Sequence, residues 1–457
     1  MLLELVSTAV GSTELVNAAS VEVTDLAYDT RTVRPGALFF CVRGGRFDGH
    51  ELAPQALAAG AVALVVDHPL DLPVPQVVVD DVRAAMPHAA TAFFGDPTKS
   101  LSVAAVTGTN GKTTSAYLLD AIVRAAGWNT GLLTNIERRA GGESLPTGLN
   151  TPEAIDLQRI FRQMLDGGDT ACVMEATSIA SSQGRLDGTR FSVLVFTNLT
   201  QDHLDFHGSM DAYFEAKRRL FDQAAIAVIN TADPWGQKLA SASPGAITFD
   251  GDSDILDGIA LALRGSFNRA NAAGAALAAR ALGVDDAAIR RGLESVRGVP
   301  GRFEAIDEGQ PFAVIVDYAH TPDGLENILR AARELVDGGE LVVAFGAGGD
   351  RDRTKRPQMG EVVGRLADRA IVTSDNPRSE EPAAIAADVT AGIAGAFEVE
   401  LDRRKAIHAA LERAHRGDVV VIAGRGAEPE QELAHGKVTF DDREVVRTAL
   451  RALWSAS

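Results

Sequence analysis

The chain has 457 residues, 46% of them hydrophobic and 23% charged, and a formal net charge of −18. That length suits two to four domains, each able to bury a real core. So acidic a composition argues against a nucleic-acid-binding face, which needs a basic patch, but it leaves room for an anionic small ligand in a locally basic pocket.

Residues 1–98 open with "MLLELVSTAV", which has no basic segment ahead of its apolar run and is interrupted by Glu4, so it does not read as a signal peptide. No uncharged apolar run reaches about 18 residues anywhere, and no transmembrane helix is expected. Short strands follow in "ALFFCVRG", "AVALVVDH" and "PQVVVDD", with a helix in "HELAPQALAAGA" and a turn-rich join at "FFGDPTKS". Residues 99–300 alternate strands and helices, beginning "LSVAAVTG", "SAYLLDAIVRAAG", "TACVMEA" and "FSVLVFTNL". That alternation predicts a mostly parallel sheet covered by helices. "VRGVPGRFE" is a second join, and residues 301–457 alternate again through "PFAVIVDYA", "LENILRAARELV", "ELVVAFGAGG" and "DVVVIAG". The predicted fold class is α/β in three domains. Cys41 and Cys172 lie in apolar strand-like runs and read as buried thiols of a reducing compartment. The expected address is the cytoplasm, with no nucleic-acid partner, no stable membrane insertion and a monomeric state.

Three stretches carry chemistry. "LSVAAVTGTNGKTTSAYLLDAI" is a strand, a glycine turn and a helix. Gly108 and Gly111 allow a tight backbone whose N–H groups can face phosphate oxygens. Lys112 adds a point charge, Thr113 can ligate Mg²⁺, and the helix N-terminus favours the anion. The common P-loop pattern has a glycine where this chain has Val106, so the loop is a variant. In "SMDAYFEAKRRLF", Met210, Tyr213, Phe214, Leu220 and Phe221 recur at helical spacing, and Lys217 falls on their face. Burial disfavours an ammonium, so the neutral amine becomes accessible and can take up CO₂ as a carbamate. In "TSDNPRSEEP", Pro377 stiffens the turn after a strand, and Arg378 offers a bidentate fork suited to a carboxylate. The bland alternative pairs Arg378 with Glu380 or Glu381, a solvated helix start.

"GTNGKTT" resembles the nucleotide loop of the Mur ligases, the ATP-dependent amino-acid-adding enzymes of peptidoglycan synthesis. Further stretches are similar to that family's landmarks, in order: "EATSIASSQGRLDG", "FTNLTQDHLDFHGSMDAYFEAKRRLF", "GSFNRANAAGA", "VPGRFE", "VDYAHTPDGLENIL", "GGDRDRTKRPQMG", "SDNPRSEEP" and "TFDDREV". The N-terminal "YDTRTVRPGALFFCVRGGRFDGH" is similar to the uridine-nucleotide domain of the MurE type. The resemblance implies an N-terminal uridine-nucleotide-binding domain (1–98), a central P-loop-like ATPase domain (99–300) and a C-terminal Rossmann-like, amino-acid-binding domain (301–457).

The resemblance also implies roles. Gly108, Thr109, Asn110, Gly111, Lys112, Thr113 and Thr114 would hold ATP, with Asn268 and Asn271 on the adenine side and Arg302 and Asp317 reaching phosphate and ribose. Thr113, Glu175, His203 and a carbamylated Lys217 (N6-carboxylysine) would hold Mg²⁺, and Lys112, Glu175, His203 and Lys217 would be catalytic. His207 reads as structural. Thr30 and Arg31 match the uridine region, and Asn150, Thr151, Thr177, Gln183 and Arg185 match positions around a UDP-N-acetylmuramoyl dipeptide. Arg356, Asp375, Asn376, Pro377, Arg378, Gly424 and Glu428 match an amino-acid pocket, expected for meso-diaminopimelate, with Glu428 facing the distal ammonium. ATP residues spread over two domains imply completion by domain closure.

Departures from the family pattern stand at Asn150, at Thr177-Ser178-Ile179, at "RGAE" (Arg425–Glu428, with Ala427 in place of the usual His) and in a short stretch between Phe249 and Phe267. Competing expectations are the same reaction with L-lysine or another amine, and a catalytically inactive binding paralogue. A folylpolyglutamate-synthase-like enzyme would share the loop but not "DTRTVRPG" or "DNPR".

Overall fold

Long runs of Val, Ile, Leu and Ala buried on both faces build the parallel sheets of this chain, because helices cover each side. The computed structural model describes residues 1–45 and 47–454. They form two compact units. The first comprises Met1–Thr107, Gly127–Leu194 and Ala216–Ile226; the second comprises Gly108–Ala126, Val195–Glu215 and the chain from Ala227 onward. Residues of the expected central block, 99–300, therefore belong to both units. The helix after the glycine loop, Lys112–Ala125, explains part of this. It packs on Ser266–Ala281 and Asp286–Ser295, so closely that a Cβ on Gly292 would stand 2.4 Å from the Ile122 Cα.

In the first unit, a five-stranded sheet runs Glu14–Val16, Gln76–Val78, Ala61–Val66, Ala37–Phe40, Asp25–Ala27. Only its first pair is antiparallel. The same unit holds five strands of the central sheet. Ser102–Thr107, Ala171–Glu175 and Thr130–Leu133 are parallel neighbours, and Arg138–Ala140 and Glu143–Ser144 add an antiparallel hairpin. Leu101, Val103, Phe161, Met174 and Leu194 are among the residues of its core. Both cysteines are buried, as expected.

The second unit contains a six-stranded sheet in the order Glu304–Ala305, Ala313–Asp317, Val419–Ala423, Leu341–Phe345, Arg369–Val372, Phe397–Val399. Its first pair is antiparallel and the others parallel. One core lies on each face of this sheet. A hairpin, Glu430–Leu433 with Gly436–Thr439, follows the sheet and is absent from the sequence reading. No helix among the described residues is long and apolar enough to cross a membrane.

A buried ion pair anchors this unit. Arg403 donates bidentately to Asp442, at 2.8 and 2.6 Å, with both side chains at most 1% exposed. Arg403 also donates to the Ser374 and Ala423 carbonyls, beside the "SDNPR" turn. Removing one partner strands a buried charge, which costs about 3–5 kcal/mol. Arg403→Ala is expected to lower the stability of this unit by that amount in urea unfolding. A midpoint unchanged from the parent would show the pair to be dispensable.

Candidate active site

The glycine loop is shaped by what surrounds it. Gly108 has φ +148°, and a Cβ there would lie 1.9 Å from Thr197 Oγ1. Gly111 has φ +85°, and a Cβ there would lie 2.2 Å from Asn271 Oδ1. Both positions need glycine for dihedral and for space. The segment after strand Val193–Phe196 pins the loop. Thr197 Oγ1 donates to the Asn110 carbonyl (2.7 Å), the Asn110 N–H donates to Asn198 Oδ1 (2.9 Å), and the Thr109 N–H donates to the Asn198 carbonyl (2.9 Å). Thr109 Oγ1 also lies 3.1 Å from the Tyr213 hydroxyl. Lys112 opens the helix and folds its ammonium over the loop, donating to the Gly108 and Thr109 carbonyls at 3.0 and 2.6 Å.

Residues distant in sequence meet this loop within the second unit. Arg302 Nη2 donates to Thr113 Oγ1 at 3.0 Å, and its guanidinium lies 4.2 Å from the Tyr318 ring centroid. Asn110 Nδ2 donates to Asp323 Oδ2 at 2.8 Å. Asn268 and Asn271 are both buried. Asn271 Nδ2 donates to Asn268 Oδ1, and Ser115 Oγ donates to Asn271 Oδ1, so the pair sits against the helix that the loop starts. Asp317 accepts the Phe303 and Ala319 N–H groups at 2.6 and 2.7 Å, and burial pushes its carboxyl above the usual range.

His203 has a left-handed backbone, φ +53°, which turns the chain sharply before helix Leu204–His207. Its Nε2 lies 3.4 Å from Asp202 Oδ2. Asp202 is a hub that local spacing does not reveal. Lys355 Nζ donates to it at 2.9 Å with both side chains buried, and His320 Nε2 is 3.6 Å away. Burial alone would raise the Asp202 carboxyl, but Lys355 and the two histidines outweigh it and hold it well below the usual range. The only signal in the sequence was an acid next to a candidate ligand, and its partner stands 153 positions away.

In the first unit, Glu175 is 1% exposed and accepts the Asn135 N–H at 3.2 Å. Lys217 is 1% exposed, on helix Met210–Arg218, where Tyr213, Phe214 and Ala216 are also buried. Thr151, Thr177, Gln183 and Arg185 come together. Thr151 Oγ1 donates to the Glu175 carbonyl (3.0 Å) and lies 3.1 Å from Thr177 Oγ1, while Arg185 donates to the Thr151 carbonyl (3.2 Å) and to Gln183 Oε1. Arg185 also pairs with Glu153 at 3.0 Å, an acid the sequence reading did not single out. Asn150 is exposed beside them. Thr30 and Arg31 form a short turn, with the Arg31 side chain 85% exposed and paired to Asp29.

The "SDNPR" turn lies against strand Glu430–Leu433. Asn376 Nδ2 donates to Glu428 Oε2 (2.9 Å), and the Tyr318 hydroxyl donates to Glu428 Oε1 (3.1 Å). Burial, reinforced by nearby Asp375, raises the Glu428 carboxyl. Asp375 Oδ2 is buried and accepts no hydrogen bond among the described residues, and a Cβ on Gly424 would crowd it at 2.4 Å. Arg425, fully buried, donates to Asn376 Oδ1 (3.2 Å) and to the Glu430 and Phe440 carbonyls.

Arg378 pairs with neither of the acids beside it. Its Nε donates to Glu432 Oε2 at 2.9 Å and its Nη1 to the Gly349 carbonyl at 2.7 Å. Its φ is +52°, a strained conformation for a side-chain-bearing residue. The expectation of a solvated Glu380 is corrected. Its carboxylate is 12% exposed and binds Arg356 (2.8 Å) and Arg353 (2.8 Å), because the Arg356 guanidinium is itself buried and needs two acids, Glu380 and Asp388. Arg356, expected in the amino-acid pocket, spends its fork on these acids and on the Gly348 carbonyl. Glu381 stands immediately before helix Pro382–Thr390.

Three family models match the chain: "Mur ligase family, catalytic domain" over residues 22–95, "Mur ligase middle domain" over 106–257, and "Mur ligase, glutamate ligase domain" over 301–426. A curated relative in Geobacillus thermodenitrificans, the UDP-N-acetylmuramoyl-L-alanyl-D-glutamate--2,6-diaminopimelate ligase, is 44% identical over 467 residues, covering 94% of this chain and 95% of its own. A solved structure of a ligase of the same name is 33% identical, with a TM-score of 0.62 and coverage of 94% and 95%. The MurF ligase of Thermotoga maritima, solved in complex with ADP, shares the fold at 19% identity and a TM-score of 0.66, covering 95% of this chain and 100% of its own.

Proposed function

The chain belongs to the Mur ligase family, and on that premise we propose that it joins meso-diaminopimelate to the D-glutamate of UDP-N-acetylmuramoyl-L-Ala-D-Glu, consuming ATP. This is an acid–amine ligation of peptidoglycan precursor synthesis, placed in the cytoplasm, with the three-domain division 1–98, 99–300 and 301–457. A carboxylate is a poor electrophile, and ATP supplies the γ-phosphate that makes it an acyl phosphate. The protein's part is positioning and charge neutralisation.

The loop fits a triphosphate. Two glycines open its backbone, Lys112 overlies it, and Arg302 reaches Thr113 at its helix end. Mg²⁺ favours oxygen donors. The Thr113 hydroxyl, the Glu175 carboxylate and a Lys217 carbamate are of that kind, and His203 adds an imidazole. A carbamate on Lys217 is supported by a lysine buried to 1% on a helix face. Asp202, gripped by Lys355, sets the orientation of the His203 segment. Thr151 ties the proposed dipeptide residues to Glu175, since its hydroxyl bonds the Glu175 carbonyl.

The observation that carries the choice of amine is the setting of Arg378. A cation held in a left-handed turn by Glu432 and Gly349 stands in the same turn as Asn376, which grips Glu428. Meso-diaminopimelate carries a distal carboxylate for Arg378 and an ammonium for Glu428, and the undonated Asp375 Oδ2 also suits an ammonium. Lysine lacks that carboxylate and would leave the cation without a substrate partner. A charge-assisted bond contributes about 1.5–3 kcal/mol, so Arg378→Ala is expected to raise the KM for meso-diaminopimelate roughly ten- to a hundredfold. The KM for ATP should stay near the parental value. Steady-state kinetics with both amino acids decide the matter: a parent that prefers L-lysine, or a variant with unaltered diaminopimelate kinetics, refutes the assignment.

A further inference from the structure

A cluster outside this site lies where strand Ala61–Val66 ends. Asp67 and His68 follow the strand, and the turn Asp48–His50 packs beside them. His50 is buried and its Nδ1 lies 2.6 Å from Asp48 Oδ1. A carboxylate only accepts, so Nδ1 carries the proton and Nε2 presents its lone pair. That lone pair accepts the Asp67 N–H at 3.2 Å, and Nε2 also lies 3.2 Å from Asp67 Oδ1. His68 Nδ1 is 2.5 Å from the same oxygen. The two imidazole rings stack, with centroids 4.8 Å apart and planes inclined by 25°. Donor atoms of His50, Asp67 and His68 all lie within 4.8 Å of one another.

By the same rule His68 Nδ1 donates its proton to Asp67 Oδ1, and a metal ion can take that proton's place among the three groups. We propose that His50 Nε2, Asp67 Oδ1 and His68 Nδ1 bind a divalent transition-metal ion of the zinc class, with water in the fourth position. The chemistry matches on three counts. Two imidazoles and one carboxylate are donors suited to Zn²⁺ rather than to Mg²⁺. Asp48 on the far nitrogen of His50 is the outer partner that fixes tautomer and ring orientation in such sites. Arg43 donates to Asp67 Oδ2 at 2.8 Å and to Oδ1 at 3.2 Å, which fixes the carboxylate beside the histidines. The competing claim on the His50 lone pair is the Asp67 N–H at 3.2 Å, the long end of hydrogen bonding. The half-exposed His68 side chain can swing to lengthen its 2.5 Å contact to a metal-ligand spacing.

The ion would tie the end of this strand to the preceding turn. The test is equilibrium dialysis of the full chain against Zn²⁺ in excess Mg²⁺, followed by metal analysis, for the parent, His68→Ala and Asp67→Asn. The parent should retain one more Zn²⁺ per chain than either variant, with affinity at least about tenfold higher. Ligase activity of His68→Ala should remain parental, since His68 is outside the proposed catalytic machinery. Equal Zn²⁺ retention by all three proteins, zero included, overturns the proposal.

Discussion

Lys217→Ala is expected to lower kcat by at least about a hundredfold, the scale seen when one preorganised electrostatic group is lost from a reacting centre. The reasoning starts from position. Lys217 is 1% exposed, between Ala216 and the half-buried Arg218, on a helix whose Tyr213 and Phe214 are 1% and 2% exposed. An ammonium so placed loses its hydration, which the neutral amine and a metal-bound carbamate do not require to the same degree. As a carbamate the residue becomes an anion with two oxygen donors, matched to Mg²⁺. Short carboxylic acids should then restore part of the activity of the alanine variant by supplying the missing carboxylate. Intact-mass measurement of the parent under bicarbonate should show addition of CO₂ that the variant lacks. Full activity without added acid would sink the carbamate reading.

Lys112→Ala should abolish dipeptide-dependent ATP consumption, by roughly 10²–10³ or more, for the same electrostatic reason. Its ammonium lies over the loop, against the Gly108 and Thr109 carbonyls, where the phosphates of a bound nucleotide would develop charge. The loop should survive the change. Thr197 and Asn198 hold it through Asn110 and Thr109, in bonds that do not involve the lysine. Thermal unfolding of the variant should therefore match the parent while phosphate release is lost. Lys112→Arg, which keeps charge but not shape, should recover little. A variant that still consumes ATP at the parental rate would remove Lys112 from the catalytic set.

What the sequence by itself determined is what depends on neighbours in the chain. The glycine loop was legible because strand, turn and helix are consecutive, and Gly108 and Gly111 take the positive φ that only glycine adopts freely. The buried face carrying Lys217 was legible because helical period alone puts it beside Tyr213 and Phe214. The alternating blocks 99–300 and 301–457 foretold parallel-rich sheets, whereas the parallel pairing within residues 1–98 was not legible. Partnership across the chain was not legible. Asp202 with Lys355, Thr113 with Arg302 and Arg403 with Asp442 are separated by 153, 189 and 39 positions. Their meeting depends on strand order and on which helices cover which face, and neither is encoded in local spacing. The same reason explains Glu380. Its local context is a solvated helix start, but the buried Arg356 guanidinium demands two carboxylates, and only tertiary packing brings Glu380 and Asp388 to it. Arg378 stands on the turn that Pro377 marks in the sequence, with φ +52°. The acid that pairs with it, Glu432, came from a hairpin that the sequence did not announce, because a short polar hairpin has no apolar face to give a period.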